Sequence, residues 1–248
     1  MPDIKISLIT VCFNAENTIA RCIESVINQN FKNIEYIIID GKSTDNTAKI
    51  IKKHENNISI FVSEPDGGIY DAMNKGIKLA TGQVIGMLNA DDFFADNFVL
   101  NDIANAFANE KTDIVYGDLD FIDNQGKTIR KWRSCVYKNN MFNKGWMPPH
   151  PTFYCRKNLF EKLGFYSLHY GTAADYELML RFIHANKITP FYIQKVMIKM
   201  NIGGASNKSY INRVKGLLFD FKAMSSNDIL FPPVTLLLKP LRKIGQYF

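Results

Sequence analysis

Residues 4 to 13, IKISLITVCF, are apolar and β-branched almost without a break, which is the pattern of a strand covered on both faces. Ile19, Cys22, Ile23, Val26 and Ile27 then recur at three- and four-residue spacing, predicting an amphipathic helix. Ile34 to Ile39 reads as a second buried strand, and Asp45 or Asn46 is placed to cap a helix running through His54. Ile58 to Val62 gives a third strand. After the turn formers Pro65-Asp66-Gly67-Gly68, a helix extends to about Ala80, stops at Thr81-Gly82, and leads into a fourth strand, Val84 to Leu88.

This β-α-β-α-β-α-β alternation predicts an α/β domain whose sheet is mostly parallel with helices on both faces, because right-handed crossovers lay each helix over the sheet. Ligands of such sheets bind beyond the carboxyl ends of the strands. Asn14, Asp40, Asp66 and the pair Asp91-Asp92 each fall just after one of the four strands. The second half is less regular. Short strands are expected over Ile114 to Ile122 and Thr128 to Trp132, joined by a turn at 123–126, as a mixed-sheet extension. Helices are expected from Ala174 to Asn186 and from Asn207 to Met224. With no linker or repeat in sight, residues 1–228 read as one domain, with 1–95 and 96–228 as its two halves and 229–248 as a tail.

Composition changes this picture little: 46% hydrophobic and 22% charged residues describe a folded globular chain. The net charge of +6 suits a polyanionic or phosphorylated ligand, but the cations are scattered until the last ten positions and no RNA-binding aromatic signature is present, so nucleic acid is not expected. Cys12, Cys22, Cys135 and Cys155 form no CxxC pair and read as reduced core thiols, the first two in segments patterned for burial. No secretion signal opens the chain, and the longest apolar run near the C-terminus, Val234 to Leu238, falls far short of the roughly 20 residues that span a bilayer. A cytoplasmic protein, at most peripheral on the inner face of the membrane, is expected.

Asn89-Ala90-Asp91-Asp92 puts two carboxylates past a buried strand, where they can hold Mg²⁺ or Mn²⁺ against a diphosphate, or where one of them can simply cap the next helix. Asp40, in IIIDGKSTDNT, can accept hydrogen bonds from a base or ribose, or can belong to a capping turn with Ser43, Thr44 and Asp45. Neither a P-loop nor a GxGxxG follows the first strand, so ordinary NTPase and dinucleotide sites are not indicated.

Five segments appear in a telling order: ITVCFNAENTIARCIESV, IIIDGKSTDNT, EPDGGIYDAMNKGI, MLNADD and GTAADYELMLR. Together they resemble glycosyltransferase family 2 over roughly residues 4 to 205. The resemblance implies the GT-A fold and an inverting sugar transfer of the kind used in bacterial surface-polysaccharide assembly, from a nucleotide diphosphate donor, most commonly a UDP-sugar, to a glycan or undecaprenyl-linked acceptor. It makes Thr10, Asn14 and Asp40 base-binding residues, and Asp66, Asn74 and Lys75 donor-site residues. Asn89 stands where the family's Asp-x-Asp motif has its first carboxylate, with Asp91 as the metal ligand and Asp92 as a second carboxylate nearby. Asp175 matches the general base, although Thr172-x-x-Asp175 is also a capping-box pattern. A carboxylate there has a chemical reason, since an inverting transfer needs a proton acceptor opposite the departing diphosphate. His150, in the stiff MPPHP loop, falls on the acceptor side.

Gly203-Gly204-Ala205-Ser206 reads either as a flap near the donor or as a plain turn. In the tail, Leu237, Leu241, Ile244 and Phe248 share one helical stripe and Lys239, Arg242 and Lys243 lie off it, so a helix starting near Pro240 either rests on an anionic membrane or packs on the domain. Two rival readings remain. A sugar nucleotidyltransferase should show a glycine-rich basic loop after the first strand, which residues 10 to 18 lack, and a non-catalytic sugar-nucleotide-binding subunit is hinted at only by Asn89.

Overall fold

The computed structural model describes residues 4–201 and 210–247. In chain order it runs through β1 (Ile6–Cys12), α1 (Ile19–Ile27), β2 (Ile34–Asp40), α2 (Thr47–Lys52), β3 (Ile60–Ser63), α3 (Ile69–Leu79) and β4 (Val84–Met87). There follow β5 (Asp92–Phe94), α4 (Val99–Phe107), β6 (Ile114–Ile122), β7 (Thr128–Trp132), β8 (Tyr154–Arg156), α5 (Lys157–Leu163), α6 (Ala174–Met179), β9 (Phe191–Asn201), α7 (Tyr210–Ser225) and α8 (Pro232–Ile244).

One nine-stranded sheet carries both halves, in the order β3-β2-β1-β4-β8-β6-β9-β5, with β7 paired to β6. The four strands β3, β2, β1 and β4 are parallel, as the alternation predicts. β8 is antiparallel to both β4 and β6, so it reverses direction once in mid-sheet and leaves β6 and β9 running with β1. β5 closes the far edge, antiparallel to β9.

Side chains alternate across the sheet and so divide the core in two. On one face Ile6, Leu8 and Cys12 of β1 pack with Cys22, Ile23 and Val26 of α1 and with Leu100, Ile103 and Phe107 of α4. On the other, Ile9 and Val11 pack with Met73 and Ile77 of α3, Phe160 of α5 and Leu178 and Met179 of α6. Each such aliphatic side chain taken from water stabilises the fold by about 1.5–3 kcal/mol. Of the four cysteines, all free, Cys12, Cys22 and Cys155 are buried while Cys135 is exposed.

At the amino-terminal edge of the sheet lies a buried carboxylate that the sequence did not advertise. Glu35 accepts from Lys5 Nζ at 3.0 Å and from the Thr81 amide at 2.7 Å, and also from the hydroxyls of Ser7 and Thr81. Burial alone would raise its pKa, but the bonds from Ser7, Thr81 and Lys5 prevail and hold it at about 2.

Two helix expectations need correction, as does the placing of Cys135 in the core, since it is exposed after the end of β7. The helix beginning at Ala174 is α-helical only to Met179 and widens into a π-helix over Leu180–Ala185. The tail helix starts not near Pro240 but at Pro232 and Pro233, whose fixed φ and missing amides suit a first turn, and Pro240 sits inside it at an exposed position. The tail also packs on the domain. Thr235 Oγ1 donates to the Asn143 carbonyl at 2.8 Å, Arg242 Nε donates to that of Lys144 at 2.8 Å, and Lys239 Nζ meets Asp220 at 2.8 Å. Gly145, at φ 73°, lies so close beneath α8 that a Cβ there would stand 2.6 Å from the Lys239 amide nitrogen. The apolar stripe faces outward, with Leu237 71% exposed, Leu241 58% and Ile244 56%. No helix among the described residues is long and apolar enough to cross a membrane. The expected 203–206 flap lies outside the described residues.

Candidate active site

The parallel strands end in loops that are stitched to one another. Asn14 takes the left-handed conformation, φ 50°, which asparagine tolerates better than most residues, and its Oδ1 accepts from the Thr44 amide at 2.9 Å. The amides of Asn14, Ala15 and Glu16 in turn donate to Ser43 Oγ, Thr47 Oγ1 and Asp45 Oδ2 at 2.8, 2.7 and 3.1 Å. The β1–α1 and β2–α2 loops therefore form one unit.

Asp40 is the anchor beneath them. It has no solvent exposure, and its carboxylate accepts from the Ser43 amide and hydroxyl, and from Ser63 Oγ at 2.6 Å, with Cys12 Sγ at 3.7 Å. Its oxygens are saturated from within, so a direct contact to a base is not what this geometry provides. Thr10 is likewise enclosed, on the α1 face, with its hydroxyl 3.1 Å from the Tyr36 hydroxyl and 3.8 Å from Cys22 Sγ. Sheet alternation is the reason: Thr10 shares its face with Leu8 and Cys12 and points away from the loops. Asp66 does line the sheet edge. Its Oδ1 accepts from the Gly68 amide at 2.8 Å, and its Oδ2 would lie 2.6 Å from a Cβ on Gly41, so a larger residue at 41 would push the Asp66 carboxylate aside.

The two α3 residues expected at the donor serve the scaffold. Asn74 uses both ends of its amide on one backbone position, Nδ2 donating to the Tyr166 carbonyl at 2.8 Å and Oδ1 accepting from the Tyr166 amide at 3.0 Å. Lys75 Nζ donates to the Pro65 carbonyl at 2.8 Å and meets Glu64 at 2.9 Å, bracing the β3–α3 loop. The hydrogen bond to Glu64 raises its pKa against a smaller opposing effect of desolvation.

Past β4, Asp91 and Asp92 diverge. Asp91 is partly exposed at the edge, its backbone carbonyl fixed by Asn201 Nδ2 at 3.0 Å. Asp92 opens β5 and is 1% exposed. Burial, then the charge of Asp91, push its carboxyl well above the usual carboxylate value. Asn89 Nδ2 donates to Asp92 Oδ2 at 3.2 Å, whereas Asn89 Oδ1 and Asp92 Oδ1 are buried with no hydrogen-bond partner.

Asp175 lies in the first turn of α6, and the chain brings two distant groups to it. His150 Nδ1, from the MPPHP loop, is 3.3 Å from Asp175 Oδ2, a contact made when Nδ1 carries the ring proton. The Tyr70 hydroxyl, from the first turn of α3, is 3.3 Å from Asp175 Oδ1. Burial and the charge of Asp175 raise the Tyr70 pKa well above the phenol value, so it stays protonated and donates. Tyr166 stacks on Tyr70 with ring centroids 5.5 Å apart, and Tyr166 is the residue that Asn74 clamps. Because α3 begins just beyond β3, the Tyr70 contact places Asp175 at the edge that carries Asp66 and Asp91. Thr172 gives no side-chain cap to this helix, so the capping-box alternative finds no support in the geometry.

A family model, "Glycosyl transferase family 2", matches residues 7–172. The chain belongs to glycosyltransferase family 2. Among its relatives, a PGL/p-HBAD biosynthesis glycosyltransferase of Mycobacterium tuberculosis is 30% identical over 217 residues, 84% of this chain and 83% of that protein. The crystal structure of S. aureus TarS residues 1–349 superposes with a TM-score of 0.69 at 17% identity, covering 97% of this chain and 72% of that one. The mannosyltransferase PcManGT of Pyrobaculum calidifontis, determined with GDP-Man and Mn²⁺, gives 0.68 at 16% identity, covering 96% and 72%. At these identities the likeness speaks for the fold, which is GT-A.

The divalent cation used by such enzymes finds a partial fit in this family 2 chain. Oxygen acceptors are gathered around Asp91, two of them orphaned, and hard cations take such ligands. Asp92, however, is shut away from solvent, and among the described residues no three His, Cys, Asp or Glu side chains form a metal-holding group. Tyr70 and Tyr166 went unforeseen: nothing local marks either, and only the 3.3 Å contact of Tyr70 with Asp175 and the stacking of Tyr166 on Tyr70 give them a second use.

Proposed function

We propose that this family 2 glycosyltransferase moves a sugar, with inversion, from a nucleoside diphosphate donor of the UDP type to a hydroxyl of a glycan or lipid-linked saccharide, with Asp175 as the base. The observation that carries the reading is the Asp175 carboxylate at the loop-bearing sheet edge, held on one oxygen by His150 and on the other by Tyr70. Two donors, one on each oxygen, fix the direction of the carboxylate that would take the proton. The acceptor oxygen bonds to the anomeric carbon, its proton passes to Asp175, and the bond from that carbon to the diphosphate oxygen breaks.

UDP as the donor base is supported by TarS, whose structures were determined with UDP and with UDP-GlcNAc. Assembly of a surface glycan or glycolipid is supported by the mycobacterial relative's role in PGL/p-HBAD biosynthesis. Asn14 and Asp66 border the nucleotide, while Asp40, Asn74 and Lys75 hold the loops that shape its site. A bound Mn²⁺ or Mg²⁺ would be held by Asp91 beside Asn89, its remaining ligands being phosphate and water, and would offset charge on the departing diphosphate. Residues 1–95 serve the donor, 96–228 serve the acceptor, and the tail brings the acceptor half to the inner face of the membrane.

Asp175→Asn tests the reading. Stabilisation by UDP-sugar, read as a shift in Tm, is expected to persist while transfer falls about 10²–10⁴-fold. Turnover at the wild-type rate in that variant would remove Asp175 from the chemistry. Donor binding by the wild-type chain without transfer to any acceptor would favour the non-catalytic subunit suggested by Asn89.

A further inference from the structure

β7, the turn through Gly145–Met147 and the end of α8 enclose a cavity of about 280 Å³. That volume is close to the lower end of the ~300–1,000 Å³ range of small-ligand clefts, room for a headgroup and not for a long glycan. Five of the side chains lining it are cationic, Lys131, Arg133, Lys239, Arg242 and Lys243, and no acidic side chain lines it among the described residues. Arg133 and Lys239 are each balanced from outside the cavity, by Asp120 at 2.7 Å and Asp220 at 2.8 Å. Lys131, Arg242 and Lys243 have no carboxylate within ion-pair distance among the described residues. The cavity walls, and then the neighbouring cations Lys239 and Arg130, hold the Lys243 amine below the ordinary lysine value. Positive charge gathered in this way repels itself until an anion arrives.

Two further observations narrow the anion. α8 carries Leu237, Leu241 and Ile244 with more than half of each side chain in solvent, directly beside its own cavity-lining cations. A free phosphate has no use for such a stripe, whereas a phosphate on a hydrocarbon tail does. The cavity also adjoins the candidate base. Lys239 Nζ lies 3.5 Å from the centre of the ring of Tyr176, the neighbour of Asp175, and Met147 of the wall precedes His150 by one Pro-Pro pair.

We propose that this cavity binds the phosphate or diphosphate group of a lipid-linked acceptor, with its hydrocarbon chain along Leu237, Leu241 and Ile244 and its sugar directed to Asp175. The proposal rests on the transferase reading above and specifies its acceptor. Its test needs neither donor nor turnover, so the two fail separately. The chain's two tryptophans, Trp132 and Trp146, both line the cavity and report on it by fluorescence.

Full-length protein is titrated with farnesyl diphosphate, farnesol, inorganic pyrophosphate, and vesicles of phosphatidylcholine with phosphatidylglycerol. Farnesyl diphosphate is expected to change tryptophan emission saturably, and to bind at least about tenfold more tightly than farnesol or pyrophosphate, since it alone engages both cations and stripe. Lys131→Glu with Lys243→Glu, both at exposed positions, is expected to weaken it at least about tenfold more, with thermal melting confirming the fold. Equal binding of pyrophosphate would make this a free-phosphate site and overturn the lipid assignment. A response to vesicles and none to farnesyl diphosphate would make it a membrane-docking surface, and also overturn it. So would silence from every probe. Should the double variant not fold, the ranking of the four probes on the wild-type chain decides the matter.

Discussion

Asp40 and Asp175 stand at the same edge of one sheet and are held in opposite ways. Asp40 has no exposure and is filled by Ser43, Ser63 and Cys12, while Asp175 keeps part of its surface open and has one donor on each oxygen, both at 3.3 Å. The first arrangement gives the loops a fixed shape, since the carboxylate ties the Ser43 amide and hydroxyl of the β2–α2 loop to the ends of β1 and β3 through Cys12 and Ser63. The second leaves a carboxylate aimed but not exhausted, which is what proton transfer asks of it. The contrast extends to the residues around them. Asn14 and Lys75 serve neighbouring loops and Asn74 serves the Tyr166 backbone, whereas His150 and Tyr70 serve a single side chain, that of Asp175.

Substitutions can break this contrast, and the largest effect after the loss of transfer in Asp175→Asn is expected from Asp40→Ala. It removes the carboxylate that accepts from the Ser43 amide and from the part-exposed Ser43 and Ser63 hydroxyls, three bonds of about 1 kcal/mol each, so a loss of about 3 kcal/mol and a fall in Tm of roughly 6–12 °C are expected by calorimetry. Wild-type melting of that variant would show that the loops hold themselves. The opposite edge of the sheet offers a pH test. Glu35 is held at about 2 against an ordinary value of 4.5, so its contribution, on the order of 3 kcal/mol, is complete above pH ~5 and fades as pH falls towards 2. Glu35→Gln should be less stable than wild type at neutral pH and lose less on acidification, and parallel pH–Tm curves would refute the assignment.

Asn74→Ala removes both bonds to Tyr166 and is expected to cost about 1–2 kcal/mol of stability, with kcat falling more than KM rises because Tyr166 supports Tyr70. An unchanged kcat would show that the clamp does not reach the base. The smallest effect is expected from Tyr70→Phe, under about tenfold in kcat, because His150 still holds the other carboxylate oxygen. A loss as large as that of Asp175→Asn would instead place Tyr70 at the reacting atoms.

The first half of the fold is legible because β1, β2 and β4 are buried on both faces and read as unbroken apolar runs between helices of clear period. The second half is harder. β9 is eleven residues long and central to the acceptor half, yet Gln194, Lys195 and Lys199 interrupt it. Lys195 is there to pair with Asp96 and Asp102 at 3.0 and 2.6 Å, partners that no local pattern indicates. The same limit applies within the site. Position relative to strand ends brings Asp40, Asp66 and Asp91 to one edge, whereas Asp175 is marked only by the family resemblance, and whether an Asp, Asn or Lys there meets a ligand or a neighbouring loop depends on groups far along the chain. Asp40 and Asn74 hold loop and backbone groups, Thr10 is buried against Tyr36 and Cys22, and Asp92 is buried at the start of β5.

The clamp of Asn74 on Tyr166 has a kinetic meaning as well as a structural one. α3 begins at the β3–α3 loop, on the side where we propose that the nucleotide binds, and through Asn74 it grips the segment that leads towards Asp175. On that proposal, a molecule that settles the helix would also true the base, and one that leaves would take that alignment with it. This favours an obligatory sequence, nucleotide sugar first and nucleotide last to depart, so that the spent nucleoside diphosphate should compete with the sugar nucleotide but not with the alcohol.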